Sequence, residues 1–352
     1  MMRKLLIGFV VVLVIVVVAY LHFHHSKPPL ETAYAGGRQV TLWSTTAQVR
    51  EPVATVNFGE RLSVLERFGD QVRVRTTSGV VGWISQDQLL SPDSWQKAKN
   101  LEAQTATLPL QARGHTRVLG NLHIEPARES PRIRQLDRGV PVELFERRTV
   151  DVPSSPAATG SDGAGAGPPS APRKEDWWLV RAQVPDQTGQ GAQGGGKAAF
   201  SGWILGRFVD LDVPAPLPDY ASSAGMRIVA WFELNHIVDA AGNARPQYLV
   251  LGTRGPEGQP CDFTLMRAFT WGEQRQRYET AFVESDLCGK LPVRLTPAKA
   301  GGDAMFAFED WSAGTSEMRT YRMHQTIVRR VREAGSTPVR PAKPARRKHA
   351  HV

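Results

Sequence analysis

The apolar positions of residues 40–90 fall in short runs that alternate with polar positions and are separated by glycine, proline, asparagine and aspartate. Leu62 and Val64 lie in one run, and Val72 and Val74 in the next. Each pair falls on one face, because successive side chains of a strand point to opposite faces. Short alternating runs with frequent turns are typical of a small all-β barrel. The pattern predicts one compact β module.

A longer copy of this pattern follows over residues 114–212. Both copies close with Gly-Trp-Ile, beginning at Gly82 and at Gly202, and both carry Val-Arg in the strand before it. Motifs shared at corresponding places are typical of an internal repeat. Two insertions, residues 152–172 and 185–197, are rich in Gly, Ala, Ser and Pro. They bury too little apolar surface to offset their ordering entropy, so we expect mobile loops there.

The order of motifs in residues 38–91 resembles the bacterial SH3 (SH3b) family, and residues 114–212 repeat that order. The matching positions are the glycine turn Phe58-Gly59-Glu60, the "V.VL" strand at 62–65, the "V.VR" strand at 72–75 and the closing "G..GW(V/I)....L" at 79–89. The first strands depart from the family, with Thr41-Leu42-Trp43 in one copy and His123-Ile124 in the other. The resemblance implies two tandem SH3-like small barrels.

The resemblance also implies a function, which is the binding of peptidoglycan, or of a peptide or protein ligand, at the cell envelope. In such barrels the fold is shared and the loops carry the binding site. Trp43, Phe68 and Trp177 are the candidate ligand-binding residues, and we expect these aromatic side chains to be exposed. Trp83 follows a glycine in the closing strand, and we expect it to complete the core.

Residues 5–21 form an unbroken apolar run rich in valine, preceded by two basic residues. Its length is near the lower limit of the ~17–25 residues that cross a bilayer as a helix. Basic residues ahead of a span favour a single-pass anchor in the cytoplasmic membrane with an extracytoplasmic body. A cleaved signal peptide is the alternative. His22, His24 and His25 follow without a nearby carboxylate or cysteine, so no metal site is predicted.

Residues 225–333 also alternate apolar and polar positions, but their pattern differs from that of the two repeats, and no family is recognised there. They predict a β-sandwich or small barrel of about six or seven strands, whose last run, residues 318–331, ends as a helix. Residues 93–104 have a helix-forming composition, with Ser91 or Asp93 as the N-cap, and predict a connector helix.

A chain of 352 residues is long enough for two or three domains. The predicted fold class is all-β, with an N-terminal transmembrane helix. The predicted domains are an anchor (1–25), a spacer (26–37), SH3b-like domain 1 (38–91), a connector (92–113), SH3b-like domain 2 (114–212), a Pro-rich linker (213–224), a C-terminal β domain (225–333) and a basic tail (334–352).

Both cysteines, Cys261 and Cys288, lie next to predicted strands of the C-terminal unit. In an exported domain an even number of cysteines predicts a disulfide. A catalytic cysteine needs a histidine nearby, and no motif joins His236 or His324 to either cysteine. The pair is therefore interpreted as one disulfide.

The net charge of +9 and the pI near 9.8 indicate attraction to anionic surfaces, such as nucleic acid, anionic lipid or acidic wall polymers. Much of this charge lies in residues 334–352, whose Pro, Ala, Lys and Arg predict a disordered cationic tail. On an extracytoplasmic protein that tail would contact anionic polymer or lipid headgroups, and no specific nucleic-acid partner is predicted.

No catalytic or cofactor motif is evident, and acidic pairs such as Glu284 with Asp286 or Glu309 with Asp310 are typical of solvated turns. The sequence therefore favours a membrane-anchored envelope binding protein without catalytic residues, cofactor or metal. Its partner would be peptidoglycan or an envelope peptide or protein. Two alternatives stay open: an envelope sensor or assembly scaffold, and a hydrolase with its site in the C-terminal β domain.

Overall fold

The computed structural model describes residues 29–37, 39–152, 173–185, 197–298 and 302–331. The predicted membrane span, the three histidines after it, most of both insertions and the basic tail lie outside these residues. Within the described ranges, no helix combines the length and apolar character of a membrane span. The chain forms two compact units, divided between Asp212 and Val213.

The first unit contains two modules, each built on a seven-stranded antiparallel sheet. The strands of the first module are β1 (Glu31–Ala35), β2 (Gln39–Trp43), β3 (Pro52–Asn57), β4 (Arg61–Phe68), β5 (Gln71–Thr76), β6 (Val81–Ser85) and β7 (Leu89–Leu90). Those of the second are β8 (Ala112–Thr116), β9 (Gly120–His123), β10 (Arg132–Leu136), β11 (Pro141–Asp151), β12 (Lys174–Pro185), β13 (Lys197–Leu205) and β14 (Val209–Leu211).

The two modules repeat one topology. The strand order is β3-β2-β6-β5-β4-β1-β7 in the first sheet and β10-β9-β13-β12-β11-β8-β14 in the second. Each strand of the second sheet therefore corresponds to the first-sheet strand whose number is lower by seven, so that β8 corresponds to β1 and β14 to β7. The repeat seen in the sequence is also a repeat of strand order, while the SH3b resemblance itself stays a prediction.

The predicted small barrels are all-β modules whose described strands do not form a closed barrel. The core of the first module draws buried residues from β1 to β6, including Leu62, Val64, Val72 and Val74 on one face as predicted, so the sheet curves around a single core. Its hydrogen-bonded ladder nevertheless runs from β3 at one edge to β7 at the other, and the described strands do not close it into a ring. Strand β7 has only two residues, and these pair with β1.

Two further expectations about the first module are corrected. Residues 31–35, which we assigned to a spacer, form β1, where Ala33 and Ala35 are buried between β4 and β7. Small alanines give a weak hydrophobic signal, so this strand is not evident from the sequence. In β6 it is Ile84 that enters the core, whereas Trp83 lies on the opposite face and pairs with Trp43.

Helix α1 (Pro92–Thr107) lies between the two modules and contacts both. As predicted, a helix follows the first module, and its N-cap is Ser91, whose Oγ accepts a hydrogen bond from the Ser94 amide at 3.1 Å. Near its start, Trp95 stacks on Tyr34 of the first module at 5.0 Å. Near its end, the Thr105 hydroxyl lies 2.7 Å from the Ser201 hydroxyl of the second module.

The second unit is a β-sandwich, as one of the two predicted architectures proposes. One sheet consists of β15 (Arg227–Val238), β16 (Ala244–Thr253), β17 (Leu265–Gly272) and β18 (Arg277–Glu284), and the other of β19 (Gly289–Thr296), β20 (Ala304–Asp310), β21 (Glu317–His324) and β22 (Ile327–Val331). Buried side chains from both sheets form one core. Helix α2 (Leu217–Ser223) packs on the other face of the first sheet.

The predicted helix at the end of this unit is wrong. Residues 317–331 form the hairpin of β21 and β22, in which His324 pairs with Ile327 and Val328 is buried. Strand β19 was also missed, because Pro292 and two basic residues interrupt its apolar pattern. The described part of the unit thus has eight strands instead of six or seven.

The predicted disulfide is confirmed, since Cys261 and Cys288 are bonded. The bond joins the segment before β17 to the segment before β19, and therefore links the two sheets of the sandwich. Beside it, Phe263 and Gly289 form an isolated bridge. A Cβ atom on Gly289 would come within 2.1 Å of the Phe263 ring, so only glycine allows this close approach.

The contact between α1 and the first module predicts that Gly59→Ala destabilises the protein more than Gly69→Ala. Both glycines have positive φ, 78° and 58°, so both substitutions cause backbone strain. Only at Gly59 would the new Cβ meet another group, the Trp95 ring at 2.4 Å. We expect an additional loss of about 1–3 kcal/mol for Gly59→Ala in chemical denaturation. Equal losses would show that the Trp95 contact contributes nothing.

The disulfide predicts that reductant lowers the stability of the second unit and leaves that of the first unit unchanged. The bonded cysteines are 27 positions apart in the sequence, and closing a loop of that size stabilises by about 3–4 kcal/mol. Replacing both cysteines by serine should lower the free energy of unfolding of this unit by that amount. The first unit has no cysteine, so its denaturation transition is the internal control and should not respond to reductant. A second-unit transition that is identical with and without reductant would contradict the prediction.

Candidate functional site

A groove runs between the two modules of the first unit. Its larger part, about 1000 Å³, is lined by both modules, and its smaller part, about 510 Å³, is lined by the first module alone. Ser85 and Asp87 line both parts. The smaller part extends along the first module to Trp43. The larger part reaches the second module at His123 and Arg207. We call the two parts together the inter-module groove.

The two walls of the larger part carry different charges. The first module contributes Asp70 and Asp87, and the second contributes Arg128, Arg132 and Arg207. Arg132 and Asp87 face each other across the groove with 3.9 Å between guanidinium and carboxylate. The second module also contributes one exposed acid, Glu129. A ligand in the larger part therefore meets acceptors on one side and mainly donors on the other.

A buried carboxylate positions two of these arginines. Glu175 at the start of β12 is 4% exposed and accepts hydrogen bonds from Arg128 Nε at 2.9 Å and from Arg207 Nη1 at 2.7 Å. The hydrogen bonds from Arg128, opposed by burial and assisted by Arg207, lower the pKa of Glu175 to about 2. Glu175 is therefore charged at neutral pH, and it fixes both guanidinium groups at the groove.

His123 at the end of β9 supplies a neutral ring. Its Nδ1 lies 2.9 Å from the carbonyl oxygen of Ser130, an arrangement in which Nδ1–H donates and Nε2 is the acceptor of the uncharged ring. Burial lowers the pKa of His123, which keeps the ring uncharged at neutral pH. The ring meets Trp177 edge to face at 5.3 Å. His123 is thus suited to accept a hydrogen bond from a ligand.

The structure places the three predicted ligand-binding residues differently. Trp43 lines the smaller part of the groove, partly buried, with the Arg50 guanidinium 4.4 Å from its ring centre. Trp177 borders the larger part but is only 1% exposed, so the expectation that it is exposed is wrong, because His123 covers its ring. Phe68 is 66% exposed and does not line the groove.

Sequence reasoning missed the charged residues of the groove. Arg128 and Glu175 are 47 positions apart, and a long insertion lies between them, so nothing local joins them. The one available signal was His123, which stands where the first strand departs from the SH3b pattern. The sequence does not show that the strand order places His123 next to Trp177.

Two cavities in the described part of the second unit bear on the hydrolase alternative. They have volumes of about 460 and 410 Å³ and are lined by one acid each, Asp286 and Glu279, and by no histidine. The described ranges contain no group of three His, Cys, Asp or Glu side chains able to hold a metal ion. Glu284 and Asp310 instead pair with Arg319 at 2.9 and 2.6 Å, which is a structural ion cluster.

No protein-family model matches this chain, and no curated protein matches it. The solved structures with weak similarity include the following two. An NlpC/P60 family protein from Bacillus cereus is 14% identical with a TM-score of 0.21, over 59% of this chain and 65% of that one. NlpC2 from Trichomonas vaginalis is 10% identical with a TM-score of 0.17, over 74% of this chain and 97% of that one. The chain thus spans less than two thirds of the Bacillus protein, and these TM-scores assign neither fold nor activity.

The buried Glu175 predicts that the difference in stability between the wild type and the Glu175→Gln variant depends on pH. Because its folded pKa of about 2 lies below the ordinary value of 4.5, its stabilisation is full above pH 4.5 and is lost as the pH falls towards 2. Glu175→Gln should lower the free energy of unfolding of the first unit by about 3 kcal/mol at pH 7. This difference should shrink below pH 4.5, as measured by urea denaturation. Glu129→Gln, at an exposed position, is the control. A difference that is independent of pH would contradict the prediction.

Proposed function

We propose that this protein binds an extended peptide-containing ligand of the bacterial cell envelope, peptidoglycan above all, in the inter-module groove and without catalysing a reaction on it. The observation that supports this proposal is that the two parts of the groove adjoin each other. Ser85 and Asp87 line both of its parts, so one ligand can extend from Trp43 to His123. A site of this length suits a chain better than a compact molecule.

The charges of the groove favour a ligand that carries both signs. Guanidinium groups bind carboxylates through paired hydrogen bonds, and Arg128 and Arg207 are held in place for this by Glu175. Asp70 and Asp87 on the opposite wall would bind ammonium groups. The peptide part of peptidoglycan carries both carboxylates and amines. Trp43 would pack against the apolar part of such a chain.

The proposed location rests on the sequence. The apolar run at residues 5–21 would anchor the chain in the cytoplasmic membrane and place the body outside the cytoplasm. A disulfide in the second unit agrees with an oxidising compartment. Binding of an envelope protein segment, as in a scaffold or sensor, would use the same groove and is distinguished by experiment.

The groove predicts that full-length protein in detergent sediments with purified peptidoglycan and remains bound as the salt concentration is raised. Trp43→Ala should weaken binding about tenfold, because a packed aromatic side chain is among the residues that dominate binding energy. Phe68→Ala should bind as the wild type does, since Phe68 does not line the groove.

The matched control is Trp311→Ala, which removes a partly exposed tryptophan from the second unit. Wild-type affinity of the Trp43 variant, or binding that disappears with salt for every variant, would contradict the groove as the site. Absence of binding would favour a protein partner and the scaffold alternative.

A further inference from the structure

A second cavity of about 410 Å³ lies in the other unit, on the outer face of the β15–β18 sheet. Helix α2 covers part of this face, where Leu217 and Ala221 join an apolar cluster with Val250 and Leu265. The cavity begins where this cover ends, and its size is within the range of small-molecule sites. We call it the arginine pocket, because Arg267, Arg275 and Arg277 are among the residues that line it.

Arg267 lies in the middle of β17 without an acid opposite it. Its neighbours in the two adjacent strands are Val250 and Val283. Its Nε is buried and has no hydrogen-bond partner among the residues that the structure describes. Arg267 nevertheless lines the cavity, and with valines in place of acids on both sides its positive charge is open to an anion that enters there.

The pocket has an excess of positive charge. Arg275 pairs with Glu279 at 3.3 Å, and this glutamate is the one acid among the lining residues. Arg277 is exposed and forms no ion pair within the described ranges. Three arginines and one glutamate leave two unbalanced positive charges. A phosphate monoester at neutral pH carries about −1.5 to −2 charges, which matches this excess.

Aromatic side chains, together with Ser223 and Thr280, form the rest of the wall. Tyr220 of α2 stacks on Phe269 with ring centres 5.7 Å apart. The ring centres of Tyr278 and Tyr248 are 5.5 Å apart. Burial raises the pKa of Tyr278, so its hydroxyl remains a hydrogen-bond donor at neutral pH. Flat apolar rings with a polar edge suit a sugar, which presents C–H groups on its faces and hydroxyls around its rim.

We propose that the arginine pocket binds a sugar phosphate, with the phosphate on Arg267 and Arg277 and the sugar ring against Tyr278. The phosphate would balance the charges of Arg267 and Arg277, since arginine binds phosphate through parallel hydrogen bonds. The site lies in the second unit, and it does not depend on the groove or on the function proposed for it.

Isothermal titration calorimetry of the full-length protein in detergent tests this proposal with three ligands. Glucose 6-phosphate carries both the ring and the dianion, glycerol 3-phosphate carries the dianion without a ring, and glucose carries the ring without a charge. We expect glucose 6-phosphate to bind about tenfold or more tightly than either of the others, because each lacks one set of contacts. Equal affinity for the two phosphates, or no heat with glucose 6-phosphate, would overturn the proposal.

Variants locate the site. Arg277→Gln and Arg267→Gln should each weaken glucose 6-phosphate binding about tenfold, because each removes a charged hydrogen-bond donor. Arg329→Gln, at an exposed arginine of the opposite sheet, should bind as the wild type does. Arg277 is exposed, so its variant tests the site even if Arg267→Gln fails to fold. Unchanged affinity in the Arg277 variant, or an equal loss in the Arg329 variant, would place binding elsewhere.

Discussion

Helix α1 is the constraint on which the inter-module groove depends. Its two ends are tied to different modules, through the stacking of Trp95 on Tyr34 and through the hydroxyl pair of Thr105 and Ser201. Phe58 and Phe200, 5.3 Å apart, add a direct contact between the modules. Because a packed helix is stiff, it fixes the distance between two sheets that would otherwise move on a linker. The groove is therefore a preformed site, and a ligand meets less entropic cost there.

Buried or partly buried acids hold several arginines of this protein in place. Glu175 holds two arginines at the groove, and Asp310 and Glu284 hold Arg319 inside the sandwich. Arg267 differs from these, because its neighbours in the two adjacent strands are Val250 and Val283 instead of acids. The contrast separates arginines that stabilise the fold from one that is available to a ligand. A count of basic residues alone does not make this distinction.

The sequence predicts what depends on local periodicity. Strands with large β-branched or leucine side chains, such as those of Val72 and Val74, were predicted correctly, because one residue in two is buried. Strand β1 was missed because alanines carry that alternation. The groove was missed because it needs two modules and a helix to be in place, and the exposure of Trp177 was wrong because His123 covers it. Contacts between residues distant in sequence decided these outcomes.

Both insertions of the second module begin and end at residues that pair with each other. Asp151 is opposite Lys174, and Pro185 is opposite Lys197. Chain added between two paired strand ends leaves the register of the sheet unchanged, and its closure entropy grows only slowly with length. These hairpin ends are therefore natural attachment points for a genetically encoded fluorophore or an epitope. A reporter placed there would follow the protein in the cell while the groove and the sandwich stay intact.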